Sequence, residues 1–88
     1  MDLWVCSMYD CNSMHDTILG VYSTQELAEG NARAWAMDKG EDVELVDRSV
    51  GLDKELIYYK VIEHILGIVF ENYYTATIEK FKLDADAF

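Results

Sequence analysis

The chain has 88 residues, with 17 Asp and Glu against 7 Lys and Arg and a formal net charge of −10. A surface this negative repels nucleic acid phosphates and anionic lipid, and it attracts cations or basic protein surfaces. Hydrophobic residues at 51% exclude a disordered acidic tail, and the length sets one domain, residues 1–88, with a small core.

No stretch approaches the roughly 18 consecutive apolar residues of a membrane helix. The start, Met1-Asp2-Leu3-Trp4-Val5, lacks the basic region and cleavage site of a secretory signal. Cys6 and Cys11 make no disulfide framework in such a chain, so the expected compartment is the cytoplasm, with both thiols reduced.

Leu3 to Tyr9 is rich in β-favouring residues and reads as a first strand. The polar run from Asp10 to Asp16 reads as a hairpin loop, and Ile18 to Tyr22 as a second, antiparallel strand. Ser23-Thr24-Gln25-Glu26 matches a capping box, in which Ser23 accepts the backbone N–H of Glu26 and Glu26 reaches back, with Tyr22 and Leu27 as a hydrophobic staple. This predicts a helix from Thr24 to about Lys39, stopped by Gly40. Leu27, Ala28, Asn31, Ala32 and Trp35 gather on its apolar side, and Glu29 and Arg33 are spaced for a surface ion pair.

Gly40 to Lys54 is acidic and the least ordered in pattern, with Val43, Leu45 and Val46 offering a short strand. From Leu52 to Leu66 two readings fit. Asp53 as a cap, the spacing of Leu52, Leu56, Tyr59 and Leu66, and Gly67 as a stop suit a helix. The β-branched and aromatic centre, Ile57 to Ile62, favours a strand. Ile68-Val69-Phe70 and then Tyr73 to Leu83 are strand material, and Asp84 to Phe88 is an acidic tail expected to fray. The order β-β-α-β-β-β predicts an α+β fold, a mainly antiparallel sheet with one helix packed on a face.

The stretch from Ile18 to Glu29, placed after a strand and a polar loop, resembles a group of small bacterial and phage proteins of unknown function. Their pattern is a short strand, an acidic loop, "I-x-G-V-[YF]-S-[ST]-x-E-x-A" leading into a helix, and a closing strand ending near Leu-Asp, here Ile78 to Asp84. The resemblance covers about the first 40 residues and the last strand, and Glu41 to Tyr74 has no counterpart in it. It implies the fold and a phage or mobile-element setting, and carries no catalytic residues across.

Candidate chemistry is sparse. Cys6, Cys11, His15 and His64 include the residue types of a zinc site, but four residues separate the cysteines where structural sites use a tighter knuckle. Cys11 and His15 with Asp16 have the types of a nucleophilic triad but sit in one short loop with no oxyanion element. Asp38, Glu41, Asp42, Glu44 and Asp47 lack the ligand order of a calcium loop. No enzymatic activity, cofactor or metal is therefore expected.

Two features point to protein binding. Glu41, Asp42, Glu44 and Asp47, with Asp10, Asp16, Asp53 and Glu55, either keep the chain soluble or imitate duplex phosphates. The adjacent pairs Tyr58-Tyr59 and Tyr73-Tyr74 put one ring on each face of their strands, one filling the core under Trp35 and the other exposed. The exposed rings are either a contact surface or are covered by Lys and Glu stems. The expectation is an acidic module that docks on and modulates or inhibits a host protein with a basic or mixed surface; in its DNA-mimic version that target is a nucleic-acid-binding protein. It would bind neither nucleic acid nor membrane directly. The alternative is a small homodimeric accessory protein.

Overall fold

The hydrophobic alternation of the first strand and of the long closing strands is satisfied by one sheet. A computed structural model of the protein describes residues 1–82, so the tail from Asp84 to Phe88 lies outside the described residues. The elements are β1 (Asp2–Asp10), β2 (His15–Tyr22), α1 (Gln25–Met37), β3 (Asp42–Val50), β4 (Lys54–Ile65) and β5 (Ile68–Lys82). The five strands form one antiparallel sheet in the order β2-β1-β5-β4-β3. The α+β architecture read from the sequence is the one observed.

The topology explains the helix. β2 and β3 are opposite edges of the sheet, so the chain must cross four inter-strand spacings, about 19 Å, to pass from one to the other. A helix of 13 residues is about 20 Å long and spans that width. It lies flat because its inner stripe is Ala28, Ala32 and Ala36, all fully buried. Beneath it are Cys6 and Met8 of β1, Ile57, Tyr59 and Val61 of β4, and Tyr74, Ala76 and Ile78 of β5. The register requires this grouping, since Cys6 pairs with Ile78, Met8 with Ala76 and Tyr59 with Tyr74. Trp35 meets Tyr74 edge-on, with centroids 5.2 Å apart at 82°, a favoured aromatic geometry.

The details of α1 differ from the sequence reading. The cap is Thr24, whose Oγ1 accepts the N–H of Leu27 at 3.2 Å, and not Ser23. Leu27 thus occupies the position that a capping-box glutamate would fill, and Glu26 sits in the first turn beside the positive helix end. Leu27 is half exposed, because seating the alanine stripe on the sheet rotates it outward. Glu29 pairs with Arg48 across the fold, where a local partner in Arg33 was expected. The helix ends at Met37 with Asp38 as its cap, ahead of Gly40. Gly40 is needed for close approach: a Cβ there would lie 2.5 Å from Val61 Cγ1 and 2.8 Å from the Ile62 carbonyl oxygen.

The acidic stretch expected to be least ordered is a nine-residue strand, β3. Its alternation is broken by a bulge at Val46, between Leu45 opposite Tyr59 and Asp47 opposite Tyr58. The extra residue resets the period of two and hides the strand from pattern reading. β4 settles the segment that fitted helix or strand, and Leu66 and Gly67 form the hairpin turn to β5. Their φ values of 52° and 78° are those a two-residue type I′ hairpin requires. β5 runs unbroken through Glu71 and Asn72.

Candidate functional site, the uncovered face of the sheet

One helix covers one face, and among the described residues nothing lies on the other. Strand register assigns the side chains of that open face row by row. Across its middle run Asp16, Tyr9, Thr75, Tyr58 and Asp47, one from each strand, a tyrosine band with a carboxylate at each edge. Tyr73 lies beside this row, opposite Lys60, which in turn faces Glu44. Toward the far end of β5 come Ser7, Thr77, Leu56 and Ile18, then Val5, Val21 and the ion-paired Glu79 and Lys54, then Leu3 and Phe81. Ile18 is 74% exposed, Val21 58%, Phe81 49% and Tyr73 43%, so the face is open to solvent. Cys11, Val46, Asp47, Tyr58, Tyr73 and Thr75 enclose a shallow hollow of about 280 Å³.

The structure divides the residues that the sequence put forward. Asp47, Glu44, Tyr58 and Tyr73 do come together on the open face, and Asp42 shares it opposite Ile62. Glu41 stands apart, 2.7 Å from His64 Nδ1. Tyr59 and Tyr74 are not surface residues: only 3% and 7% exposed, they fill the core beneath α1, the half of each pair expected under Trp35. Burial pushes both phenols above their ordinary pKa.

About half of the acids among the described residues are cross-paired. Lys60 Nζ lies 3.6 Å from Glu71 and 3.7 Å from Glu44, and Glu71 above all raises its pKa. Lys80 meets Asp2, and Arg48 bridges Glu29 and Glu55. Glu55, only 4% exposed, also accepts from the Gln25 amide, so this network pins the start of α1 to β3 and β4. Asp10 shapes the β1–β2 loop, its Oδ1 accepting the N–H groups of Asn12 and Ser13. Slight desolvation raises its pKa, but those hydrogen bonds and the nearby His15 outweigh this and hold it below the ordinary value.

The thiols and imidazoles do not converge. Cys6 is buried under α1, and desolvation pushes its pKa up to about 11, which makes it a poor nucleophile at neutral pH. Cys11 lies on the open side, its Sγ 3.8 Å from Thr75 Oγ1, while His15 borders a groove on the helix side with Met8, Trp35 and Lys39. Among the described residues no three His, Cys, Asp or Glu side chains are placed to share a metal ion.

Sequence reading missed Tyr9, Leu3, Val5, Ile18, Val21 and Phe81 as surface residues. The period-two alternation of β1 carried the signal, because Leu3, Val5, Ser7 and Tyr9 must share one face once Cys6 and Met8 are inside. These features define a one-helix α+β domain with an uncovered, acid-edged sheet face. No family model matches the chain, and no curated protein or solved structure shows significant similarity to it.

Proposed function

We propose that this protein is a non-enzymatic binding module that docks its open sheet face on another protein with a basic or mixed surface, and so modulates or inhibits it. The observation that carries this reading is the band Asp16, Tyr9, Thr75, Tyr58 and Asp47 with Tyr73 beside it. Tyrosine supplies large contact area with a polar tip at little entropy cost, and is enriched in interface cores. Carboxylates at the rim steer a basic partner and set its orientation. The separation of Cys11 from His15 and the buried state of Cys6 support a role without covalent chemistry.

Docking through the tyrosines is favoured over imitation of a duplex. Glu29, Glu41, Glu44, Glu55, Glu71 and Glu79 each face a basic side chain within the chain, so they form no unbroken row of negative charge. The resemblance in the strand-to-helix segment supports a phage or mobile-element origin, with a host cytoplasmic protein as the target. The test is capture from a host lysate with the parent and with a Tyr9→Ala/Tyr58→Ala/Tyr73→Ala variant. A partner identified by mass that is held by the parent and lost by the variant supports the reading. A captured set unchanged by the three substitutions refutes it.

A further inference from the structure

The β4–β5 hairpin outruns the sheet. β1 stops beside β5 at Asp10 opposite Tyr74, and β3 stops beside β4 at Asp42 opposite Ile62, so residues 63–72 project as a two-stranded arm. The fold is correspondingly long, 57 × 22 × 21 Å. The arm is apolar where solvent should make it polar: Leu66 is 97% exposed, Ile68 58%, Val69 54%, Ile65 49% and Phe70 44%. A lone two-stranded ribbon is marginal in water, and one that exposes these side chains gains from being covered.

Its free edge is unguarded, unlike the others. β2 carries a bulge at Leu19, and β3 carries one at Val46 among Asp42, Glu44, Asp47 and Arg48, the usual devices against unwanted pairing. On the β4 side, Glu41 donates its N–H to the Ile62 carbonyl at the base of the arm, and beyond it Glu63 and His64 put ionisable side chains on the edge. On the β5 side the last cover is the Cys11 N–H on the Tyr73 carbonyl, with Asn12 bonded to Asn72. Beyond it, Ile68 to Glu71 has no bulge, no proline and a single charge, Glu71.

We propose that this edge pairs with the same edge of a second copy, antiparallel about a two-fold axis at Val69. Tyr73 directs its backbone groups outward, and alternation along the strand makes Glu71 and Val69 do the same, so Val69 faces its equivalent as a hydrogen-bonded pair. In this register Phe70 lies opposite Ile68 of the partner, and Glu71 lies opposite Gly67. A register centred on Glu71 would set carboxylate against carboxylate in a chain of net charge −10. Ile65, Ile68 and Phe70 share one side of the arm, so pairing joins two apolar clusters into one. The strand residues that pair on both sides, Ile68 to Phe70, span about 10 Å, and the Leu66–Gly67 turn of each copy lies beside Glu71 and Asn72 of the other, so the contact is smaller than a standard interface and belongs to the weak, transient class. A weak dissociation constant, on the order of 100 µM, suits a contact this short. Pairing by the arm leaves the tyrosine band free.

Sedimentation velocity on the whole chain across about 5 to 500 µM tests this, since the range brackets the expected constant. The parent is expected to pass from monomer to dimer. Val69→Pro removes only the outward N–H, and two such losses per dimer weaken association by about 30-fold. A second readout does not depend on proline being tolerated: Val69→Cys with Cys11→Ser, mildly oxidised, forms a disulfide-linked dimer, because paired Cα atoms stand about 5.5 Å apart. A parent that stays monomeric at the highest concentration, a dimer unaffected by Val69→Pro, or failure of Val69→Cys to cross-link overturns the proposal. So does an arm that becomes protected only when a foreign peptide strand is added.

Discussion

Replacing Arg48 with methionine leaves the buried Glu55 carboxylate with the Gln25 amide as its partner. Removing one member of a buried ion pair costs about 3 to 5 kcal/mol, because the other charge stays desolvated. Arg48 is 39% exposed and water can replace part of it, so a loss of about 2 to 3 kcal/mol is expected, including the more exposed Glu29 contact. In a chain this short that lowers the melting temperature by about 10 to 20 °C. Arg48 also donates its backbone N–H to Asp47 Oδ1 at 2.8 Å, beside the bulge that turns Asp47 to the open face. That backbone bond survives the substitution, but the guanidinium that ties edge strand β3 to Glu55 of β4 and Glu29 of α1 is gone, so hydrogen exchange should show β3 losing protection before β1 and β5. Urea denaturation of parent, Arg48→Met and Arg48→Met/Glu55→Leu is the assay, with the double variant recovering at least half of the loss. A single variant within about 0.5 kcal/mol of the parent, or a double variant no better than the single, refutes the reasoning, since neither fits a charge stranded by loss of its partner.

Cys6 gives stability a pH dependence. Its pKa is about 11 in the fold against 9.0 as the ordinary value, so between those pH values the unfolded chain has lost the proton and the native one has kept it. Stability then falls as pH rises from 9 to 11, by at most about 3 kcal/mol, and Cys6→Ala flattens that slope relative to the parent in denaturant titrations. Gly40→Ala forces Val61 and the Ile62 carbonyl aside and should cost about 1 to 3 kcal/mol by thermal unfolding, where a residue serving only as a helix stop would show much less. For a captured partner, Asp16→Asn with Asp47→Asn should slow association more than it speeds dissociation, and Tyr58→Ala should do the reverse. Surface-immobilised kinetics at two salt concentrations separate these effects. Neutralising Glu41, Asp42 and Glu44 should slow association less than Asp16→Asn with Asp47→Asn does, since Glu41 and Glu44 already face His64 and Lys60.

Local chemistry made much of this fold legible and left particular parts dark. β1, β2 and the segment opening α1 were readable because their alternation, turn residues and cap candidates act within a few positions. That the cap is Thr24 and not Ser23 was not readable, since the seating of the alanine stripe on strands distant in sequence sets where the helix begins. β3 was obscured by Val46, one inserted residue that reverses the facing of everything after it. For the site, the paired tyrosines correctly implied one inward and one outward ring, but not which was which. That depends on the register Tyr59 opposite Tyr74, a pairing fixed by the β4–β5 turn. Tyr9 and Asp16 could be joined to Tyr58 and Asp47 only once the strand order placed β1 beside β5.

Ring and amide NMR shifts of the chain, recorded with and without its captured partner, put the working surface to the most direct trial. Tyr9, Tyr58, Tyr73, Thr75 and Thr77 should move or broaden together, while the outer side of α1 around Gly30 and Ala34 stays still. Changes confined to α1, with the three tyrosine rings unmoved, would contradict the assignment of function to the open sheet face.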